Sequence, residues 1–229
     1  MGNLAIIPAR GGSKRISQKN IKSFLGRPII AYSIECALNS NLFDEVMVST
    51  DDAKIAKIAK KYGAKVPFLR SDKNSNDFAT TADVIDEVLS SYKEIGTTFE
   101  KACCIYATGP LIDVLKVKES FEILENGNYD TVFTVVEYAN PIQRAIKLNE
   151  GKMSLFFEEH KDARSQDLEK AYYDAGQFYS FFTKMFQEKK QLWTDNTGLI
   201  VLDGMDAQDI DTMEDWKMAE LKYQIKNKG

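Results

Sequence analysis

Histidine occurs once in the 229 residues, as His160. A Ser-His-Asp or Cys-His nucleophile system would have to run through that residue, and no metal centre with two or more histidines can form. His160 lies in the polar stretch Phe157-Glu158-Glu159-His160-Lys161 and reads as a solvated surface side chain. Cysteine is scarce as well. Three residues, with Cys103 and Cys104 adjacent, make neither a disulfide framework nor a zinc spacing, so a reducing compartment is the simpler reading. The two common phosphate-binding fingerprints, G-x-x-x-x-G-K-[ST] and G-x-G-x-x-G, are both absent, which argues against an ATPase and a nicotinamide enzyme. No apolar run approaches the ~18 residues needed to span a bilayer. The chain opens into Leu4-Ala5-Ile6-Ile7-Pro8 without a basic leader and cleavage site. The expectation is a soluble, cytoplasmic protein with no membrane partner.

What is present fits an ordinary globular chain. Thirty basic and 34 acidic side chains give a net charge of −4, too balanced and too negative for a nucleic-acid module. A hydrophobic content of 44% with 28% charge excludes a disordered or collagen-like chain. The length suits one domain with an embellishment, large enough to bury a core without a disulfide or metal staple.

Short β-rich runs alternate with helical stretches over the first two thirds. Leu4–Pro8, Glu45–Ser49, Lys65–Leu69, Ala102–Ala107 and Thr131–Val136 read as strands. A helix follows Asp52, capped by Thr50 or Asp51, with Ile55, Ile58, Ala59 and Tyr62 at three- and four-residue steps and Gly63 as its stop. Ala82–Tyr92 and Leu111–Glu125 read as further helices. Such alternation predicts an α/β fold, a mostly parallel sheet flanked by helices. After Asn140-Pro141 the pattern breaks into short β-prone pieces mixed with charge, an insertion that reads as a β-arm. Leu199–Leu202 and Thr212–Gln224 then return to the core as a strand and a final helix. The predicted division is a catalytic core of residues 1–139 and 176–229 around an arm of residues 140–175.

Charge is unevenly placed. Arg10, Lys14, Arg15, Lys19, Lys22 and Arg27 precede the first acidic residue, Glu35, and the first strand runs straight into Ala9-Arg10-Gly11-Gly12-Ser13-Lys14-Arg15. Ligands of open parallel sheets bind at the carboxyl ends of strands. A glycine turn there lets backbone N–H groups approach a phosphate while Arg and Lys neutralise it, so this loop reads as a polyphosphate cradle. At the other end of the chain, Asp209-Ile210-Asp211 puts two carboxylates on one face of extended backbone, with Ile210 turned inward. Convergent carboxylates suit a Mg²⁺ ion held against substrate phosphates. Equally, acids just before a helix are favoured by its macrodipole. The presence of both a cradle and an acid pair in one chain tips the reading toward metal.

Ile6-Ile7-Pro8-Ala9-Arg10-Gly11-Gly12-Ser13-Lys14-Arg15-Ile16 with Lys19-Asn20-Ile21 resembles the opening motif of the CMP-N-acylneuraminate synthetase family, the CMP-sugar synthetases that activate nonulosonic acids. Ser49–Asp52, Val66–Arg70, Asp77–Thr81, Tyr106–Pro110, Tyr172–Tyr179 and Asp209–Thr212 extend the resemblance in register over essentially the whole chain. Tyr106-Ala107-Thr108 and Asp174–Tyr179 favour the pseudaminic branch over the N-acetylneuraminic one. The sequence departs from that branch at Gly109, at Ser17-Gln18, which lack the usual helix-breaking residue, and at Ser180, where a Trp is common beside the expected sugar pocket.

The resemblance implies a nucleotide-diphospho-sugar transferase-like (Rossmann-like) fold with an inserted dimerisation arm. It also implies Mg²⁺-dependent transfer of CMP from CTP to a nonulosonic acid sugar, with release of pyrophosphate, in surface-glycan or flagellin glycosylation. Arg10, Gly11, Ser13 and Lys19 would hold the triphosphate, Asn20 would face the nucleotide, and Arg70, Ala79 and Thr81 would line the cytosine. Asp209 and Asp211 would bind Mg²⁺, with Arg10, Lys19 and Asp211 as the catalytic set and Asp211 helping to take the proton. Tyr106, Gln177, Phe178 and Tyr179 would shape the sugar pocket, although taken alone these residues read more readily as ordinary aromatic core. The family's arm crosses to a second subunit of a homodimer, making Arg144 and Arg164 candidates for the sugar carboxylate in trans. An N-acetylneuraminate or legionaminate cytidylyltransferase is the alternative within this chemistry. A non-catalytic nucleotide-binding protein on the same fold is the alternative outside it.

Overall fold

The computed structural model describes residues 2–227. Among them the strands are β1 (Gly2–Pro8), β2 (Ser23–Phe24), β3 (Arg27–Pro28), β4 (Glu45–Ser49), β5 (Phe99–Ile105), β6 (Thr131–Glu137), β7 (Ile146–Asn149), β8 (Lys152–Leu155), β9 (Tyr172–Phe182) and β10 (Thr197–Leu202). The helices are α1 (Ile30–Ser40), α2 (Ala53–Lys61), α3 (Thr81–Glu94), α4 (Val114–Asn126), α5 (Thr183–Lys189) and α6 (Met213–Lys226). No helix among the described residues is long and apolar enough to cross a membrane.

Six strands form the central sheet in the order β10-β6-β9-β5-β1-β4. β1 pairs in parallel with β4 and β5, and β10 in parallel with β6. β9 runs antiparallel to both β5 and β6 and joins the two parallel halves. Both faces are covered, which is why β1 and β6 read as unbroken apolar runs. Ala5, Ile7 and Val48 pack with Ile34, Ile55 and Phe121 of α1, α2 and α4 on one face. Leu4, Ile6 and Met47 pack with Ile85, Val88 and Leu89 of α3 on the other.

Helix starts follow their caps. Asp52, rather than Thr50 or Asp51, caps α2, its Oδ1 accepting from Lys54 N at 2.6 Å and Ile55 N at 3.2 Å. Asp113 caps α4, so that helix begins three residues later than its apolar pattern suggests. Thr80 with Asp83, and Thr212 with Asp215, form capping boxes for α3 and α6.

The expected strand at Lys65–Leu69 is corrected. Lys65 bridges Met47 on the β4 edge, donating to Val46 O at 2.8 Å while its carbonyl accepts from Val48 N at 2.9 Å. Pro67 has no N–H to continue the ladder, and pairing resumes only with Arg70 N to Thr50 O. The segment therefore covers the sheet edge without becoming a strand.

The insertion is a β-hairpin, β7–β8, closed by Glu150 and Gly151 at φ +50° and +77°, the left-handed pair of a tight hairpin turn. The sheet resumes earlier than the sequence division places it, because Tyr172, Tyr173 and Asp174 already pair with Glu137, Val136 and Val135. At the other end, α6 packs Trp216 and Ala219 against Phe24, Ile29 and Tyr32. Ile210 is fully buried in that cluster, which brings the end of the chain onto its beginning.

Candidate functional site

A cleft of about 320 Å³ opens at the carboxyl ends of β1 and β5. Arg10, Ser13, Lys14, Arg15, Lys19 and Asn20 line one side of it, and Arg70, Ala79, Thr80, Thr81, Tyr106 and Thr108 line the other. Of the residues assigned to the nucleotide on sequence grounds, all but one meet here. The size suits a small-molecule ligand.

The exception is Gly11. Its N–H donates to Asp51 Oδ1 at 2.9 Å, and a Cβ at this position would lie 2.9 Å from Asp52 Oδ2. Glycine is needed so that the turn can tuck against the start of α2, and the amide is already spent on Asp51. Buried Asn20 fixes the same loop, its Nδ2 donating to Arg10 O at 2.9 Å. Gln18, at φ 51°, adopts the left-handed conformation that makes the turn into Lys19, and its carbonyl accepts from Ile21 N and Lys22 N at 2.9 Å. Arg70 is buried and ties the end of β4, with Nε donating to Ser49 Oγ at 3.0 Å and Nη2 to Ser49 O at 2.5 Å. Burial lowers the Arg70 pKa, and Asp51 and Glu87 oppose that.

The cations of the cleft are divided between two carboxylates. Asp77 accepts from Arg10 Nη1 at 2.7 Å and pairs with Lys14. Asp211 lies 2.8 Å from Arg15 Nη1 and 3.6 Å from Lys19 Nζ. Lys19 also donates to Ile210 O at 2.6 Å, across 191 residues of sequence. The cradle and the acidic segment are therefore clasped together.

Asp209 and Asp211 face a neighbouring cavity of about 290 Å³, together with Asp215 and Lys222. Asp215 is committed to the start of α6, accepting from Thr212 N at 2.8 Å and Thr212 Oγ1 at 2.8 Å. Lys222 donates to Gly204 O and Ala207 O, both at 2.7 Å, rather than to the acids. Asp209 is exposed at the cavity wall. Desolvation there, followed by repulsion from Asp211, raises its pKa. No group of three or more His, Cys, Asp or Glu side chains among the described residues could hold a metal by itself. Two hard carboxylates fit a Mg²⁺ ion whose remaining ligands are water and phosphate oxygens, the usual arrangement for that ion.

Beyond Thr80 and Thr81 the cleft continues into an aromatic recess of about 450 Å³ with Tyr106, Tyr179, Leu192 and Trp193. The Tyr106 hydroxyl lies 3.2 Å from Thr81 Oγ1, and burial pushes its pKa up to about 12. Tyr179 packs edge-on against Tyr106 and hydrogen-bonds Asp174. Trp193, 62% exposed, stacks on Phe133 at 5.5 Å. Nothing local marks Trp193 in the sequence, since it sits in a connection between α5 and β10 with no period or motif. Lys14, Arg15 and Thr80 were also unassigned, though the first two stand out as part of the basic run.

Gln177 and Phe178 do not line the recess. Phe178 is buried on the α1/α4 face of the sheet with Ile34 and Phe121. Gln177 is buried too, and its Nε2 donates to Asp206 O at 2.6 Å, holding the loop that carries Asp209. Strand alternation turns Phe178 away from Tyr179, which points to the α3 face, whereas Gln177, two residues from Tyr179, lies in the irregular stretch of β9 where pairing with β6 breaks register. Ser180 likewise faces α4, within 2.7 Å of Ser120 Oγ, so its departure from the family pattern lies away from the recess. Arg144 donates to Ser165 Oγ at 2.9 Å and Arg164 to Asp167 at 2.6 Å, both on the arm and outside the cavities of their own chain. His160 is on the arm as well, in a short 3-10 turn.

Residues 4–215 match the protein family described as Cytidylyltransferase. Over 230 residues the chain is 42% identical to the pseudaminic acid cytidylyltransferase of Campylobacter jejuni subsp. jejuni serotype O:23/36 (strain 81-176), covering 100% of this chain and 99% of that one. It is 35% identical over 226 residues to the CMP-N,N'-diacetyllegionaminic acid synthase of Campylobacter jejuni subsp. jejuni serotype O:2 (strain ATCC 700819 / NCTC 11168), covering 98% and 96%. Among solved structures it is similar to a CMP:2-keto-3-deoxy-manno-octonic acid synthetase complexed with CTP, with a TM-score of 0.71 at 17% identity over 100% of both chains. That last likeness establishes a shared fold, the nucleotide-diphospho-sugar transferase-like one.

Proposed function

The chain belongs to the cytidylyltransferase family, and from that premise we propose that it transfers CMP from CTP to pseudaminic acid, releasing pyrophosphate, in a Mg²⁺-dependent reaction. The observation that carries this reading is the 2.6 Å bond from Lys19 to Ile210 O, which joins a polyphosphate cradle to a carboxylate pair in one site. A purely binding protein has little use for that juncture.

The anomeric hydroxyl of the sugar must attack the α-phosphorus in line, between two anions that repel each other. Catalysis is therefore mostly positioning and charge neutralisation. Arg10, Ser13 and Lys19 bind the triphosphate, with Lys14 and Arg15 beside them in the cleft. The wall of Arg70, Ala79 and Thr81 receives the cytosine, opposite Asn20. Asp209 and Asp211 would hold Mg²⁺, which when bound would supply Lewis-acid polarisation of a phosphate oxygen. Asp211 helps take the proton of the attacking hydroxyl. The sugar lies against Tyr106 and Tyr179, with Trp193 closing the aromatic recess.

The same reading assigns the arm to a homodimer. Ile146, Leu148 and Met153 are exposed on the hairpin and lack a core of their own to cover. Arg144 and Arg164 on that arm are offered to the sugar carboxylate in the partner's site. A role in feeding surface-glycan or flagellin glycosylation from CTP goes with a cytoplasmic enzyme.

The test is pyrophosphate release with CTP, Mg²⁺ and, separately, pseudaminic, legionaminic and N-acetylneuraminic acids. Strong release with pseudaminic acid alone is expected. Release with a different sugar would keep the transfer and move the branch, which the relative at 35% identity makes a real competitor. Silence with all three while CTP still binds would overturn the catalytic reading.

A further inference from the structure

Asp77 has one set of partners. Its carboxylate accepts from Arg10 Nη1 at 2.7 Å and pairs with Lys14, and both cations line the nucleotide cleft. It caps no helix. Its loop is held in place independently: Asn76 Oδ1 accepts from Phe78 N at 2.7 Å and Ala79 N at 3.0 Å, and Asn76 Nδ2 donates to Lys73 O at 2.6 Å. Arg10 Nη1 also donates to Asn76 O at 3.0 Å, so the cradle is latched to this loop at two points. Phe78, at the tip, is 92% exposed, which leaves the tip with no packing to anchor it. Lys14 first, then Arg10, holds the Asp77 carboxyl below the usual carboxylate range, so it stays charged at neutral pH. The result is an acidic side chain, preset by its loop, standing where a phosphate would meet Arg10 and Lys14.

We propose that Asp77 is the internal counter-ion of the cradle, which a polyphosphate must displace, and that this competition holds down the site's affinity for triphosphate and pyrophosphate while leaving a monophosphate untouched. The inference rests on the polyphosphate reading of the cleft and deepens it. Exposed ion pairs are individually weak, so a ligand bringing several charges exchanges them easily. A triphosphate replaces both contacts of Asp77 at once. A monophosphate, with one or two charges placed nearer the sugar, leaves them in force. Once pyrophosphate departs, the carboxylate returns to Arg10 and Lys14 and keeps the emptied subsite neutral.

The experiment is calorimetric binding without metal, in EDTA, of inorganic tripolyphosphate, CTP and CMP to the wild type, Asp77→Asn and Asp72→Asn. Asp72 is on the same loop and forms no ion pair among the described residues, so it controls for charge removal alone. Asp77→Asn is expected to tighten tripolyphosphate and CTP by about three- to tenfold and CMP by less than about twofold, with Asp72→Asn changing all three by less than about twofold. Unchanged or weaker tripolyphosphate binding by Asp77→Asn would overturn the proposal, since Asp77 would then only order the loop. An equal gain for CMP, or the same gain in Asp72→Asn, would overturn it as a general field effect. If the wild type binds neither tripolyphosphate nor CTP, the cradle reading itself falls and takes the inference with it.

Discussion

Asp211 serves two partners in the structure, Arg15 and Lys19, while sharing a cavity with Asp209. Its removal therefore acts in two directions. On the proposed metal role the carboxylate pair loses a ligand, and two cradle cations are freed. Asp211→Ala is expected to lower kcat by at least about 10²-fold, the scale typical of losing one group that stabilises developing charge. Metal-free CTP binding should survive and even tighten. Full activity in this variant, measured by pyrophosphate release, would remove the metal assignment. Both acids were legible from the spacing Asp209-Ile210-Asp211, because alternation in extended backbone is a local property. The partners of Asp211 were not legible, since Arg15 and Lys19 lie nearly two hundred residues away in sequence.

At the scale of elements, β9 decides the geometry of the site. Its pairing with β6 jumps from Phe133↔Tyr179 to Val135↔Asp174, leaving Ala175–Phe178 as a bulge. Gly176 sits in the bulge at φ +64°, with the Asp209 carboxyl 3.5 Å from where its Cβ would stand. That space would admit a methyl group, so the cost of substitution is in the backbone. Gly176→Ala is expected to lower unfolding free energy by about 1–2 kcal/mol, the penalty for a left-handed L-residue, measured by urea unfolding. An unchanged urea midpoint would show that the bulge relaxes. Sequence reading saw Tyr172–Tyr179 as a pocket motif and missed the strand, because a doubly covered strand carries no alternation of apolar and polar residues. It missed α1 for a related reason: Ile30, Tyr32, Ile34 and Ala37 are buried between two clusters, which blurs the single apolar face.

At the scale of the whole molecule, the arm carries an apolar surface that its own chain leaves exposed. The hairpin extends Leu148 at 79% exposed and Met153 at 64%, which face each other as cross-strand neighbours. If the arm builds a homodimer that completes each sugar site, Leu148→Glu with Met153→Glu should convert the dimer to a monomer in light scattering. The KM for the sugar should rise about tenfold or more, while metal-free CTP binding stays unchanged because the cleft is formed within one chain. A variant that is monomeric yet retains its sugar KM would confine Arg144 to its Ser165 hydrogen bond and Arg164 to its Asp167 ion pair on the arm.

By itself the sequence determined the features that depend on neighbours in the chain: the α/β alternation, the basic glycine turn after β1, the acid pair before α6 and the β-prone insertion. These follow from periodicity, capping chemistry and turn residues, which act over a few positions. The tertiary structure alone decided which side chains face the site. It committed the Gly11 amide to Asp51, sent Phe178 and Gln177 into the core, brought Trp193 beside Tyr106, and paired Asp77 with the cradle. Each of these depends on strand order or on a bulge in register, and a shift of one residue in a strand reverses the face of every side chain that follows.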